Sequence, residues 1–250
     1  MSSTVPTDIY VVIPTYNEAE NIPPLLDQLI ALQRDLRIII VDDNSPDGTG
    51  RIVDQYAQRY PGVVIPIHRA GKLGLGTAHI AGFEHAFSLD AQWILSMDAD
   101  FSHHPRYIPS MIDKAATGYD LVIGSRYVKG GGTSRFPLWR KLLSSSANFT
   151  AHLLVGLAAH DTTAAFRLYR REVLESVEFE KIFSSGYSFL IEMLFIIQAR
   201  GWKIGEVPIV YEDRQAGQTK ISRNEVYRAL YTVFRLAGRR IRNLFLPRTH

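Results

Sequence analysis

Short β-branched segments alternate with segments of helical periodicity throughout the first half of the chain. The predicted strands are Ile9 to Ile13, Arg37 to Val41, Val63 to His68, Trp93 to Met97 and Leu121 to Ser125. The helices predicted between them cover Ile22 to Ile30, Gly48 to Tyr60, Thr77 to Phe87 and Pro105 to Thr117. Strands and helices that alternate in this way form a mostly parallel sheet with helices on its faces. We therefore predict a Rossmann-like α/β fold.

The second half of the chain is less regular. Gly130, Gly131 and Gly132 predict a mobile loop, and a helix is expected between Pro137 and Gly156. Because we find no internal repeat and no linker, we expect a single domain over residues 1–250. Its charge is divided unevenly: residues 1–125 carry 8 Lys and Arg against 15 Asp and Glu, and residues 126–250 carry 20 against 10. The two halves are therefore expected to perform different chemical tasks.

A basic amphipathic helix is predicted at about 222–246. Its apolar face comprises Val226, Leu230, Val233, Phe234, Ala237, Ile241, Leu244 and Phe245, and its other face Arg228, Thr232, Arg235, Arg239 and Arg242. Such a helix either docks on its own domain with a solvated basic face or lies on a membrane surface. No segment has the roughly 20 apolar residues of a spanning helix, and the N-terminus lacks a signal-peptide pattern. We expect a cytoplasmic protein that does not cross a membrane alone.

Polar residues follow the predicted strands at the points where those strands end. They are Pro14, Tyr16 and Glu18 after the first strand, Asp42 and Asp43 after the second, Asp98 and Asp100 after the fourth, and Ser125 and Arg126 after the fifth. Ligands of open parallel sheets bind at the carboxyl ends of the strands. This edge is therefore the expected binding site for a polar ligand.

The triplet Asp98-Ala99-Asp100 is the most informative of these groups. In an extended segment the two carboxylates point to the same side, as suits Mg²⁺ or Mn²⁺ bridging a diphosphate; two acids at a surface turn are the alternative. His103 and His104 are expected to support the helix entry or the acids rather than to bind metal. Asp43 is expected to bind a ribose or a base, whereas Asp47 fits a helix N-cap.

The absence of cysteine excludes disulfides, thiolate metal sites and cysteine nucleophiles. Residues suited to anions are Arg126, Arg140, Lys141, Arg167, Arg214 and Lys220, with surface ion pairs as the alternative and, for Arg167, a buried structural pair. Lys72 either contacts a phosphate or is solvated. Glu192 is either a partnered core acid or a functional carboxylate.

Eight segments, in chain order, resemble the polyprenol- and dolichol-phosphate mannose synthases of glycosyltransferase family 2. They are VVIPTYNEAENI, IIIVDDNSPDGT, LGLGTA, MDADFSHHP, GSRYVKGGG, WRKLLSSSAN, DTTAAFRLYRREVL and EDRQAGQTK. PTYNE in the first segment and DAD in the fourth mark the broad family, whereas SHHP, FRLYRREVL and the DRxxGxxK pattern are specific to this branch. The resemblance covers nearly the whole chain.

The resemblance implies a GT-A fold, with a nucleotide-sugar half at 1–125 and an acceptor half at 126–250. It implies GDP-mannose as donor, a polyprenyl or dolichyl monophosphate as acceptor and a divalent cation, Mg²⁺ or Mn²⁺. By motif position, guanosine would contact Pro14, Tyr16, Glu18, Val41 and Asp43, and the metal and diphosphate would contact Asp98, Ala99 and Asp100. Arg126, Arg214 and Lys220 would bind phosphates, and Arg140 and Ser144 the acceptor phosphate. Ser102 stands where some relatives have a glutamine ligand, which leaves the third metal ligand open.

The expected reaction is the attack of a lipid phosphate oxygen on the anomeric carbon, with inversion and loss of GDP. It requires no general base, because a phosphate monoester is largely ionised at pH 7. The alternatives are another donor such as UDP-glucose, a hydroxyl acceptor, or a non-catalytic nucleotide-sugar-binding protein recruited to a membrane. We expect peripheral contact with the cytosolic face of a membrane, alone or with a separate membrane subunit, and no nucleic acid.

Overall fold

The structure is a computed structural model that describes residues 6–32, 34–134, 148, 152–186, 188–212 and 223–245, and only the backbone of 223–227 and 243–245. Among these residues, no helix has the length and hydrophobicity needed to cross a bilayer.

A seven-stranded, mostly parallel sheet forms the centre of the molecule. Its strands are β1 (Ile9–Thr15), β2 (Leu36–Asp42), β3 (Val64–His68), β4 (Trp93–Ser96), β5 (Leu121–Ser125), β7 (Arg167–Arg170) and β8 (Ile204–Pro208). Their order is β3-β2-β1-β4-β7-β5-β8, and only β7 runs antiparallel to its neighbours. A second, two-stranded parallel sheet pairs β6 (Gly132–Thr133) with β9 (Val210–Tyr211).

Helices cover both faces of the large sheet. They are α1 (Ile22–Ala31), α2 (Thr49–Arg59), α3 (Leu75–Ser88), α4 (Ile108–Ala116), α5 (Arg171–Glu175), α6 (Ser188–Ala199) and α7 (Arg223–Phe245), with short 3-10 helices at Pro105–Tyr107 and Phe179–Lys181. Residues 152–155 are also helical. The side chains of β1 alternate between two cores: Val12 packs with α3 and α6, whereas Val11 and Ile13 pack with α1 and α4. A sheet buried on both faces explains why its strands are so apolar.

The predicted α/β fold and mostly parallel sheet are confirmed, and the five predicted strands agree with β1 to β5 to within a few residues. Strands β7 and β8 were not predicted. The last glycine of the cluster predicted as a mobile loop, Gly132, begins β6. Gly132 and Thr133 pair with Val210 and Tyr211 of β9.

Helix α7 docks on its own domain, but its two faces differ from the prediction. Thr232, predicted on the polar face, is buried with Val233 and Leu236, whereas Phe234 is 64% exposed. Arg239 points inward to Glu192, with Nη1 and Oε1 3.4 Å apart. The solvated basic face that we expected is therefore partly engaged in docking.

Candidate functional site

Tight turns follow β1, β2 and β4 at the carboxyl edge of the sheet. Each turn contains a non-glycine residue with positive φ: Asn17 (59°), Asn44 (56°) and Phe101 (61°). Asparagine tolerates this conformation, but it is uncommon for a bulky residue such as phenylalanine and is therefore strained. These turns reverse the chain directly after Tyr16, Asp43 and Asp100, so these polar residues lie at the rim of the sheet.

The first two turns are joined by hydrogen bonds. The backbone N–H groups of Asn17, Glu18 and Ala19 donate to side chains of the second turn, Ser45 Oγ, Thr49 Oγ1 and Asp47 Oδ2, each at 3.0 Å. Asp47 Oδ1 also accepts from the backbone N–H of Thr49, the first residue of α2, but the N-cap of this helix is Gly48 and not Asp47 as predicted. The two loops therefore form one rigid wall.

Asp42 and Asp43 have different partners. Asp42 accepts hydrogen bonds from Thr15 Oγ1 at the end of β1 and from Ser45 Oγ in the second turn. Asp42 therefore links the two turns. Asp43 Oδ1 lies 2.8 Å from Arg69 Nη1, and both side chains are buried. Burial raises the pKa of Asp43, and the positive charge of Arg69 offsets this only in part.

The other residues predicted to hold the nucleoside lie along this wall. Lys72 Nζ is 4.3 Å from the centre of the Tyr16 ring, a cation–π contact that neither interpretation of Lys72 foresaw. The side chain of Val41 is fully buried, so Val41 can reach a ligand only through its backbone. Pro14 is half-buried, and Glu18 accepts a hydrogen bond from Asn21 Nδ2 at 2.8 Å.

The turn after β4 presents Asp98 and Asp100. Asp100 is buried and its Oδ1 accepts from Ser102 Oγ (2.6 Å) and from the Ser102 backbone N–H (3.1 Å). His103 Nδ1 accepts the backbone N–H of Asp98 at 3.2 Å, and burial lowers the pKa of His103 to about 4. His103 is therefore a neutral support for the turn, as expected from the sequence. Ala99 is buried and offers only its backbone.

Tyr211 brings the acidic turn and Arg126 together. The Arg126 guanidinium carbon lies 5.3 Å from the centre of the Tyr211 ring, and the ring of His103 meets the Tyr211 ring edge-on at 5.6 Å. Burial, together with the negative charges of Asp100 and Asp98, raises the pKa of Tyr211 to about 12. His103 Nδ1 also lies 3.6 Å from Asp98 Oδ2, so the acidic turn, Tyr211 and Arg126 border one region.

Arg126 is held by a buried acid. Its Nε donates to Asp161 Oδ2 and its Nη2 to Asp161 Oδ1, both at 2.7 Å. Burial alone would raise the pKa of Asp161, but the charge and hydrogen bonds of Arg126 hold it below its usual value. Five further predicted site residues, Arg140, Lys141, Ser144, Arg214 and Lys220, lie outside the described residues.

Residues 10–178 match the sequence profile described as Glycosyl transferase family 2. The chain is also 40% identical over 223 residues to the polyprenol monophosphomannose synthase of Mycolicibacterium smegmatis, covering 89% of this chain and 84% of the relative. It is 38% identical over 227 residues to the undecaprenyl-phosphate mannosyltransferase of Micrococcus luteus, covering 91% of this chain and 93% of that relative. This chain belongs to glycosyltransferase family 2. It is a glycosyltransferase.

Solved structures share the fold of this glycosyltransferase at lower identity. Glucosyl-3-phosphoglycerate synthase from Mycobacterium tuberculosis, in complex with Mn²⁺, UDP and glucosyl-3-phosphoglycerate, superposes with a TM-score of 0.66 at 20% identity, covering 93% of this chain and 80% of that one. Mannosyl-3-phosphoglycerate synthase from Rubrobacter xylanophilus superposes with a TM-score of 0.65 at 19% identity, covering 98% of this chain and 77% of that one. The similarity supports the predicted GT-A architecture.

Two charged residues of the glycosyltransferase whose roles the sequence left open are structural. Glu192 Oε2 accepts from the backbone N–H groups of Phe183 (3.2 Å) and Ser184 (2.9 Å), so it is a partnered core acid. Arg167 is fully buried and donates to the carbonyl oxygens of Thr162, Ala164 and Leu190 at 2.7 to 2.9 Å. Both side chains are engaged by backbone groups of the protein itself.

Three residues of the glycosyltransferase site were missed: Arg69, Asp161 and Tyr211. Asp161 stands in a segment whose composition, HDTTAA, is typical of an ordinary turn. The only signal for Arg69 and Tyr211 was their position: Arg69 directly follows β3, and Tyr211 comes three residues after the end of β8. Among the described residues, no group of three Asp, Glu or His side chains could hold a metal ion.

Proposed function

We propose that this glycosyltransferase transfers mannose from GDP-mannose to a polyprenyl or dolichyl monophosphate, with inversion at the anomeric carbon. The observation that carries the proposal is that the turn with Asp98 and Asp100 packs through His103 against Tyr211, which also contacts Arg126. Acids beside a guanidinium group suit a metal-bound diphosphate next to a second anion. The names of the two bacterial relatives support a polyprenyl phosphate acceptor.

The divalent cation, Mg²⁺ or Mn²⁺, fits the oxygen donors of this turn. Asp98 and Asp100 supply hard carboxylate ligands from one turn at the carboxyl edge of the sheet. When bound, the ion would neutralise charge on the diphosphate leaving group. The hydrogen bonds from Ser102 orient Asp100 for this role.

The nucleoside would lie along the wall formed by the first two turns. Tyr16, Glu18 and Asp43 face the donor there, with backbone contacts from Pro14, Val41 and Ala99. In the transfer step, a phosphate oxygen of the acceptor forms a bond to the anomeric carbon. The bond from that carbon to the diphosphate oxygen breaks, and its electron pair leaves with GDP.

No side chain needs to remove a proton in this step, because the acceptor phosphate is largely ionised at neutral pH. Arg126, with Arg214 and Lys220, would position the phosphates and reduce their mutual repulsion. Arg140 and Ser144 would bind the acceptor phosphate.

The decisive experiment is incubation of the purified protein with radiolabelled GDP-mannose and a short polyprenyl phosphate, with and without Mg²⁺ or Mn²⁺. We expect label in the organic phase only when the ion is present. UDP-glucose in place of GDP-mannose and a polyprenol in place of its phosphate serve as controls. Equal transfer from UDP-glucose, or to the alcohol, would contradict the donor or the acceptor. Binding without any transfer would favour a non-catalytic role.

Peripheral membrane contact is the second part of the proposal, supported by the outer surface of α7. Leu230, Phe234 and Ile241 recur at helical spacing and are 42%, 64% and 55% exposed. Arg240 donates to the carbonyl oxygen of Leu153, another exposed leucine, at 3.3 Å. Exposed apolar side chains next to arginines suit the interface of an anionic leaflet, where the protein would act from the cytosolic side.

Vesicle flotation tests this contact. The wild type should float with anionic vesicles, and Phe234→Ser should reduce the bound fraction. Leu73→Ser is a matched control, because Leu73 is 63% exposed but lies in the loop before α3. Equal flotation of the wild type and Phe234→Ser would exclude the α7 surface, and a wild type that stays in the soluble fraction would contradict peripheral binding. Co-purification with a membrane protein would identify a separate anchoring subunit.

A further inference from the structure

Asp161 is a fully buried carboxylate that takes no part in the proposed transfer step. Its Oδ2 accepts from both the Nε and the backbone N–H of Arg126, at 2.7 and 3.0 Å, and its Oδ1 accepts from Arg126 Nη2 at 2.7 Å. The backbone N–H of Ala164 also donates to Oδ1, at 3.1 Å. A bidentate pair of this kind fixes the plane of the guanidinium group as well as its location.

The loop that carries Asp161 is itself held in place. The backbone N–H of Asp161 donates to Glu206 Oε1 on β8 at 3.1 Å. The buried Arg167 binds the carbonyl oxygens of Thr162 and Ala164, at 2.9 and 2.7 Å. Because β7 and β8 anchor the loop on both sides, the Asp161 carboxylate cannot follow Arg126 if the arginine shifts. Asp161 therefore sets the position of the guanidinium group.

The remaining sides of the Arg126 guanidinium are also defined. Tyr127 and Tyr211 lie against it, with ring centres 5.1 and 5.3 Å from the guanidinium carbon. Thr163 Oγ1 accepts a second hydrogen bond from Nη2 at 2.7 Å. Among the described residues, Asp161 and Thr163 occupy the Nε and Nη2 donors, which leaves the donors on Nη1 for a ligand.

We propose that Asp161 is a positioning residue, which holds Arg126 so that its Nη1 edge serves the diphosphate of the donor. The inference rests on the proposed function, because it takes the cleft beside Asp98 and Asp100 as the diphosphate site. A guanidinium group fixed in advance loses little conformational entropy on binding. Asp161 thus acts on the donor through Arg126 and without touching it.

The test is the binding of GDP and of UDP, measured by calorimetry in the presence of Mn²⁺, to the wild type and to Asp161→Asn. The variant keeps the shape of the side chain but loses the charge and one acceptor. We expect GDP to bind about tenfold to hundredfold more weakly. Equal affinity in the wild type and the variant would overturn the inference.

The chain offers a matched control at the opposite ends of β5 and β7. Asp120 precedes β5 and its Oδ1 lies 3.0 Å from Nη1 of Arg170, the last residue of β7. Asp120→Asn also breaks an arginine–carboxylate pair on these two strands, but far from the acidic turn. We expect it to change GDP affinity by less than about twofold. An equal loss in both variants would indicate a general structural effect and would overturn the positioning role.

A double-mutant cycle with Arg126→Gln separates positioning from stability. If Asp161 acts through Arg126, Asp161→Asn should weaken GDP binding by less than about twofold when Arg126 is already replaced. Additive losses would contradict the inference. If Asp161→Asn fails to fold, Thr163→Val replaces it in the test, because Thr163 also holds Arg126 Nη2. We expect Thr163→Val to weaken GDP binding severalfold, and unchanged binding would contradict the inference. A wild type that binds neither GDP nor UDP would instead refute the proposed function, and the inference with it.

Discussion

Helix α3 lies so close to the sheet that one of its residues has no room for a side chain. A Cβ atom added to Gly82 would approach Val12 Cγ1 to less than 3.0 Å and Val41 Cγ2 to 3.2 Å. Both valines are fully buried in adjacent strands, so neither can rotate away. Gly82→Ala must therefore move α3 away from β1 and β2, the strands that lead to the nucleoside wall.

The magnitude follows from two opposing effects. Alanine in place of glycine inside a helix contributes about 1 kcal/mol of stability. Overpacking of a core costs about 1 to 3 kcal/mol, and the upper end applies here because the clash falls on a fully buried valine. We expect a net loss of about 2 kcal/mol for Gly82→Ala. Gly238 in α7 is exposed and has no atom within 4 Å of such a Cβ, so Gly238→Ala should gain about 1 kcal/mol.

Thermal unfolding and urea titration of the two variants measure this difference directly. For a chain of this size, 1 kcal/mol corresponds to roughly 2–4 °C in Tm. Gly82→Ala should therefore unfold about 4–8 °C below the wild type and Gly238→Ala about 2–4 °C above it. A Gly82→Ala protein as stable as the wild type would refute the close packing of α3 on β1.

Three further predictions concern charged and titratable groups. Asp98→Ala should reduce mannosyl transfer by about a thousandfold or more, through loss of charge stabilisation at the diphosphate, and near-normal transfer in the radiolabel assay would exclude the metal role. Glu192→Gln should lower the unfolding free energy by about 2 kcal/mol, because the buried carboxylate accepts backbone hydrogen bonds and faces Arg239; an unchanged urea midpoint would contradict this. Burial lowers the pKa of His79 to about 4. Between about pH 6.5 and pH 4, His79 is therefore protonated in the unfolded chain but neutral in the folded chain. The contribution of His79 to the unfolding free energy should therefore fall by up to about 3 kcal/mol as the pH drops from 6.5 to 4, and the buried His103 adds a loss of the same sign. His79→Phe should remove the His79 part and make the pH dependence shallower in urea titrations at several pH values; parallel pH curves for the two proteins would exclude His79 as a cause.

The sequence predicted the parallel strands well because their signal is local. Strands β1, β2 and β4 are short apolar runs buried on both faces, and such runs are typical of strands in a parallel sheet. Strand β7 carries arginine at both ends, and Arg167 is buried only because three carbonyl oxygens surround it. That environment comes from the 161–164 loop and from α6, so no pattern within β7 could reveal it. Strand β8 is obscured in a similar way by Gly205 and Pro208.

The same distinction applies to the candidate site. Asp43, Asp98 and Asp100 could be predicted because each follows a recognisable strand, and parallel strands bring their ends to one edge. Arg69 and Asp161 act through partners 26 and 35 residues away, Asp43 and Arg126, so their roles depend on the order of the strands. Tyr211 becomes relevant only when β9 is placed beside the acidic turn.

Helix α7 shows how far periodicity can be used. A helical pattern separates two faces but does not say which face docks, because arginine can pack on an aromatic ring or pair with a buried acid. Here Arg235 lies 3.9 Å from the centre of the Phe183 ring, and Arg239 faces Glu192. Phe234, one residue before Arg235, remains 64% exposed. The outward apolar stripe, more than the number of arginines, is therefore what supports the proposed membrane contact.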